Sequence, residues 1–593
     1  MRKIFGYLSA FKGRMAVGLS LKILGTFAEL VLPLIMAYML DEVAPAGDAW
    51  ALGLWGAGML ACALAALWGN VAANRMASRV ARDTTERLRD DLFAKTLRLS
   101  AAQTDRATIP SLVSRLSSDT YNVHNMIGMM QRLGVRAPIL LIGGVALTFT
   151  VDPVLALVLL VTVPVLTAVV ALVAGRGIGL YGRLQRSVDA MVRKVRDDYT
   201  GIRVIKALSR TGYESRSFAA VNEKVSRDET RAALTMGASG PVMNAVLNVG
   251  MAVVLFLGAY RVSDGMAGVG DLTAFTSYFT IILNAVISVG RIFVNLSKGA
   301  ASAGRIAEIL DLPEEMTALP DLPQEEGAPY LRFEHVSFSY GGKAPALRDI
   351  DFSLNKGESL GILGATGSGK STLAALLLRF YDPDEGRILL EGRDLRSFSR
   401  QELREKFGVV FQNDFLMAAS IGENVDFERD LPEEQLEEAV RAARAEAFVA
   451  EHGGFEGKLT ARGSNFSGGQ KQRLLIARAL AGRPEILILD DSSSALDYRT
   501  DAMLRRTLTR DLSGTTVVMI AQRISSVRFA DRILVLDRGR AEGFGSDADL
   551  MRTCPLYGRI FASQHGGDPE APEEGAPADG EGGAGPAGEG GLA

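Results

Sequence analysis

The stretch Gly364-Ala365-Thr366-Gly367-Ser368-Gly369-Lys370-Ser371 sets glycines, a lysine and a hydroxyl in the spacing G-x-x-x-x-G-K-[ST]. This spacing suits the holding of a phosphate chain. Glycines let backbone N–H groups close on anionic oxygens, and a helix N-terminus behind them adds its dipole. Lys370 would reach the β/γ-phosphates, the Ser371 hydroxyl would bind Mg2+, and Thr372 extends the same turn.

Such a loop works only between a buried strand and a helix. Residues 358–363 read as the strand and 371–378 as a helix with an apolar face. Short apolar runs at 359–363, 408–411, 486–489, 516–520 and 532–536 alternate with helical stretches. They predict an α/β domain over 329–562 with a mainly parallel sheet.

The chain has 593 residues, enough for two or three domains. Its composition, 48% apolar and 22% charged, averages an apolar first half with a soluble-looking second half. A net charge of −3 argues against a nucleic-acid partner, which needs a basic footprint. Cys62 and Cys554 match neither a metal spacing nor a disulfide framework and read as reduced bystanders.

In the first half, six spans are predicted at about 15–40, 51–74, 132–151, 153–175, 236–260 and 272–294, in a lipid bilayer. Residues 1–13 read as an interfacial amphipathic helix leading into a retained anchor. The segments 75–136 and 176–231 are rich in Arg and Lys, whereas the loops near 41–50, 152 and 261–271 are mostly acidic, Arg261 excepted. Positive-inside reasoning therefore puts both segments and both termini in the cytoplasm. Each segment keeps a helical rhythm and folds as a hairpin with arms reaching about 40 Å, turning near 105–115 and 201–218. These hairpins read as a solvated helix pair or as lever arms docking on the soluble half. Glu29, Asn244, Asn248, Asn284 and Arg291 are the polar residues within spans, each a candidate for substrate contact or for helix–helix hydrogen bonding.

The domain division expected is a transmembrane domain at 1–312, a Pro- and acid-rich linker at 313–328, the soluble domain at 329–562, and a disordered acidic Gly/Pro-rich tail at 563–593.

Across everything but the tail the chain resembles a half of an ABC transporter of the exporter type, with the membrane domain first. Asn465-Phe466-Ser467-Gly468-Gly469-Gln470 resembles the family signature, with Phe466 where Leu is usual. Tyr340 stands where members stack an aromatic on adenine. Gln412 matches the Q-loop, Asp490 the Mg2+ partner of the Walker B strand, and Asp497 the D-loop. The resemblance implies a multidomain membrane protein: six helices with long cytoplasmic extensions, plus an α/β P-loop NTPase domain that binds ATP and Mg2+. Ser371, Gln412 and Asp490 would hold the metal. In this family two nucleotide domains meet head to tail, so Ser467, Gly468, Gly469 and Gln470 would complete the site of a partner half.

Two positions depart from the pattern. Asp491 stands where hydrolysing members carry Glu, and Gln522, in Ala521-Gln522-Arg523, stands at the switch His. Loss of one methylene draws the carboxylate back by roughly 1.5 Å, and a misplacement near 1 Å can cost on the order of a hundredfold. Gln522 cannot become an imidazolium and stabilises developing charge less. The expectation is the non-catalytic half of a heterodimeric exporter in a bacterial plasma membrane, moving a lipophilic or amphipathic drug, lipid or peptide by alternating access. A homodimer hydrolysing slowly through Asp491, and an ATP-gated channel or regulator without pumping, remain alternatives.

Overall fold

The computed structural model describes residues 2–313, 316–319, 322–342, 344–492, 496, 498–510 and 514–565. Asp497, the tail beyond 565 and the Arg291 side chain lie outside the described residues. The chain divides into two compact units, one of residues 1–98 and 107–313, the other of 99–106 and 314–593.

In the first unit, six helices among the described residues are long and apolar enough to cross a membrane. Their main segments are α1 (Lys12–Tyr38), α2 (Ala49–Leu97), α3 (Thr120–Val151), α4 (Pro153–Thr200), α5 (Ser239–Ser263) and α6 (Val269–Leu310). Several run far past the bilayer length because nothing in the basic segments breaks them. At about 1.5 Å per residue, α2 with 49 residues spans about 70 Å. The first hairpin turns through short helices Ala101–Ala107 and Ile109–Ser114 around Thr108 (φ 61°). The second turns through Ile202–Ala207 and Ser209 (φ 53°).

Close packing of the spans rests on small residues. A Cβ on Gly69 would lie 3.2 Å from the Gly25 Cα, and one on Gly25 would lie 3.0 Å from the Asn70 N, so α1 and α2 touch backbone to backbone. Phe275, Tyr278, Phe279 and Ile282 of α6 fill the core with Leu30 and Leu155, and the Tyr278 hydroxyl donates to the Leu30 carbonyl at 2.5 Å. Buried Asp152 starts α4 by accepting from the N–H groups of Val154 and Leu155, and it also accepts from Arg261 Nε at 2.6 Å. The one basic residue of the acidic loops is thus the partner of that cap.

The soluble unit is built on a six-stranded sheet of order β10-β9-β3-β8-β7-β6. It comprises β3 (Ser359–Gly364), β6 (Phe407–Val410), β7 (Ile486–Asp490), β8 (Thr516–Ala521), β9 (Arg532–Asp537) and β10 (Arg540–Gly545). All neighbours are parallel except β10, which turns back on β9. The sequence reading lacks a second, antiparallel sheet of order β2-β1-β4-β5: β1 (Leu331–Phe338), β2 (Leu347–Leu354), β4 (Glu385–Leu390) and β5 (Arg393–Asp394). Its strands alternate buried and exposed positions and carry charges on the open face, so they show no continuous apolar run. Phe333, Phe352, Ile388, Ile362, Leu373 and Ile488 join the two sheets in one core. Described residues of the linker are pinned to this unit, with the Leu319 N–H on the Arg396 carbonyl (2.7 Å) and the Glu325 N–H on the Gly392 carbonyl (2.8 Å).

Candidate nucleotide site

Parallel strands deliver their loops to one edge of the sheet, and the carboxyl ends of such strands are where ligands bind. The phosphate loop follows β3, Gln412 follows β6, Asp490 ends β7 with Asp491 next, and Gln522 follows β8. One edge therefore gathers residues that are more than a hundred positions apart in sequence. They line a cleft of about 340 Å³ with Thr366, Gly367, Gly369, Lys370, Ser371, Thr372 and Tyr340.

The loop needs its glycines. Gly367 and Gly369 sit at φ 83° and 104°, and a Cβ on Gly369 would lie 2.6 Å from the Leu347 side chain. At Gly364 a Cβ would strike the Leu536 carbonyl at 2.3 Å and the Ser368 hydroxyl at 2.5 Å. Helix α7 (Lys370–Leu377) starts directly after Gly369. Lys370 Nζ donates to the Gly364 and Ala365 carbonyls at 2.8 and 2.7 Å, and burial lowers its pKa from the usual lysine value. The Ser368 hydroxyl is buried with no hydrogen-bond partner among the described residues. A lysine folded onto its own loop and an orphaned buried hydroxyl suit a loop that closes on phosphate oxygens.

Ser371 Oγ donates to Asp490 Oδ2 at 3.0 Å. Burial, then the neighbouring charge of Asp491, raises the Asp490 carboxyl above its ordinary value against the pull of Ser371 and Lys370. Asp491 takes left-handed backbone (φ 49°); its N–H donates to the Ile520 carbonyl at 2.9 Å, and its carbonyl accepts from Gln472 at 3.4 Å. Tyr340 presents its ring beside the cleft, braced edge-on by Phe338 and Tyr381 at 4.9 and 5.2 Å, with its hydroxyl 3.3 Å from Thr372 Oγ1.

The signature segment takes no part in lining this cleft. Ser467 caps α8 (Gly468–Ala481) through a reciprocal pair, its hydroxyl accepting from the Gln470 N–H and its own N–H donating to Gln470 Oε1. Ser467 and Gly468 are exposed, leaving that helix start presented to solvent. Phe466 is buried against Phe448 and His452, so an aromatic serves as the apolar anchor under the loop. Ala346, Ile520 and Ala521 also line the cleft and escape sequence reading. The last two could have been found from strand order, since they end the strand beside β7; Ala346 carries no local signal.

Residues 15–286 match the family profile of the ABC transporter transmembrane region, and 347–494 match that of the ABC transporter nucleotide domain. An uncharacterized ABC transporter ATP-binding protein of Mycobacterium tuberculosis is 32% identical over 94% of this chain and 97% of its own length. The chain belongs to the ABC transporters. Another relative, described as a fatty acid ABC transporter ATP-binding/permease protein of Mycobacterium bovis, is 31% identical over 82% of this chain and 77% of its own length. A solved bacterial Atm1-family ABC exporter with ATP bound superposes at a TM-score of 0.80 with 25% identity, covering 94% of this chain and 99% of that one. This ABC chain is an exporter-type half-transporter, six spans followed by a nucleotide domain, and such halves act as dimers.

Proposed function

We propose that this half-transporter supplies the non-catalytic ATP site of a heterodimeric exporter. Its own phosphate loop holds ATP, with Tyr340 against the adenine and Gly364 through Thr372 around the phosphates. Mg2+ would be held by Ser371 and Asp490, with Gln412 at its edge. The carrying observation is that the two altered positions, Asp491 and Gln522, both face the cleft where a water would be activated. The binding parts around them keep the spacing that phosphate needs. Ser467, Gly468, Gly469 and Gln470 then complete the partner's site, where hydrolysis occurs. The substrate is lipophilic or amphipathic, a class supported by the apolar spans and by a relative described as a fatty acid transporter. Closure of the two nucleotide domains turns the cavity outward, and hydrolysis at the competent site resets it. The setting is a plasma membrane, with the nucleotide domain and both termini cytoplasmic.

Vanadate trapping with photoreactive ATP tests this reading. Label trapped after turnover should fall on the partner's phosphate loop. Trapped label on the peptide containing Lys370 would sink it. The second reading, a slow homodimer, is favoured by one fact: Asp491 still brings a carboxylate to the cleft. It predicts that the chain alone traps nucleotide and that Asp491→Asn stops this.

A further inference from the structure

Charged residues inside a membrane domain are expensive and ask for a reason. Four gather where α1, α2 and α3 meet. Arg136 grips Glu29 through two bonds, Nη2 to Oε1 at 2.5 Å and Nε to Oε2 at 3.2 Å. Buried Lys22 donates to Asn70 and Asn74 at 2.8 and 3.1 Å. Arg132 bonds back to the Gly128 carbonyl of its own helix at 3.1 Å. Lys22 lies about two helical turns before Glu29 on α1 and Arg132 about one turn before Arg136 on α3, behind the pair rather than in the wall of the cavity it opens on. Among the described residues no carboxylate pairs with Lys22 or Arg132, so three cations face one anion.

Glu29 lies about 16 Å along α1 from Leu40, the last residue before the acidic Asp41 and Glu42, and Arg136 about 22 Å along α3 from Val151, between the middle and the inner side of a roughly 30 Å core. They open on a cavity of about 160 Å³ whose far wall is the Asn284 and Ser288 side of α6. That is room for a headgroup, well below the 300–1,000 Å³ of sites that enclose a drug-sized ligand.

We infer that this cluster is the headgroup site for a transported amphiphile with a carboxylate head, entering from the inner leaflet. The inference rests on the exporter reading and gives it a substrate class. An arginine fork already fitted to the Glu29 carboxylate is shaped for that head. The cation excess supplies attraction that an ester or an ammonium head cannot use. Glu29 is then the resident competitor, released from Arg136 when the substrate arrives.

The competitor role gives two substitutions opposite signs. The full transporter in phosphatidylcholine nanodiscs would be titrated with a fluorescent long-chain fatty acid and with its methyl ester. Glu29→Gln should tighten fatty-acid binding, while Arg136→Gln and Arg132→Gln should each weaken it by about tenfold, the ester changing little. Thermal unfolding of each variant checks that it is folded, and Arg132→Lys should retain binding. Equal binding of acid and ester, or weakening by Glu29→Gln as by Arg136→Gln, would overturn the proposal and leave Glu29–Arg136 a structural rivet. ATP-driven uptake into proteoliposomes separates the two readings. If the ester is pumped as well as the acid, export stands and the headgroup site falls. If nothing is pumped while binding still follows the opposite signs, the site stands and export falls.

Discussion

In the proposed division of labour two side chains decide how this protein uses ATP, and each stands one small change of chemistry away from the family pattern. Asp491 and Gln522 face the cleft, but one carboxylate is short and the other group cannot carry a proton. Asp491→Glu combined with Gln522→His should raise ATP turnover at this site by about tenfold or more, read as phosphate release with the partner's site disabled. Lys370→Ala should remove ATP from this chain, read as loss of photolabel on its nucleotide domain. Gly369→Ala should do so as well, because φ 104° and a contact at 2.6 Å leave no room for a methyl. These residues were legible in sequence because each contact lies within a short motif whose chemistry fixes its spacing. Ala346 was not, since only the fold brings it to the cleft. The Glu29–Arg136 pair was half legible: Glu29 stood out within a span, whereas its partner 107 residues on depends on how α1 and α3 pack.

At the scale of elements, a different kind of joint braces each unit internally. The α1–α2 crossing needs bare backbone, so Gly69→Leu should force the helices apart and cost about 1–3 kcal/mol. It would show as a lower Tm in detergent, whereas Gly53→Leu, with nothing within 4 Å of its added Cβ, should leave Tm unchanged. In the soluble unit Glu485, just before β7, accepts from Lys406, Lys356 and Tyr330. Burial opposes its charge, but these three donors outweigh it and hold the carboxyl at about 2, below the ordinary 4.5. A lowered pKa adds stability above about pH 4.5 that disappears as pH falls towards 2. Glu485→Gln should therefore lower Tm at neutral pH, through a stability loss of no more than about 1 kcal/mol for so open a group, and the gap should close across that window. The parallel strands of the main sheet were legible as continuous apolar runs because they are largely buried, whereas β10, exposed along most of its length, was not. The antiparallel sheet was not: its half-exposed strands alternate, and charges such as Arg332 and Glu334 mask them.

For the whole molecule, the proposed site, one that binds without cleaving, makes sense only beside one that cleaves. Family membership, six spans and the ATP-bound exporter relative fix what kind of machine this is. The division of labour between halves is the central claim, and ATP turnover of the reconstituted pair tests it most directly. The chain would be assayed alone, with its partner half, and with that partner carrying a Glu→Gln change after its Walker B Asp. Near-zero turnover alone, restored with the partner and abolished by the partner's substitution, is the result predicted. Brisk turnover by this chain alone, stopped by Asp491→Asn, would contradict it and make Asp491 a working base.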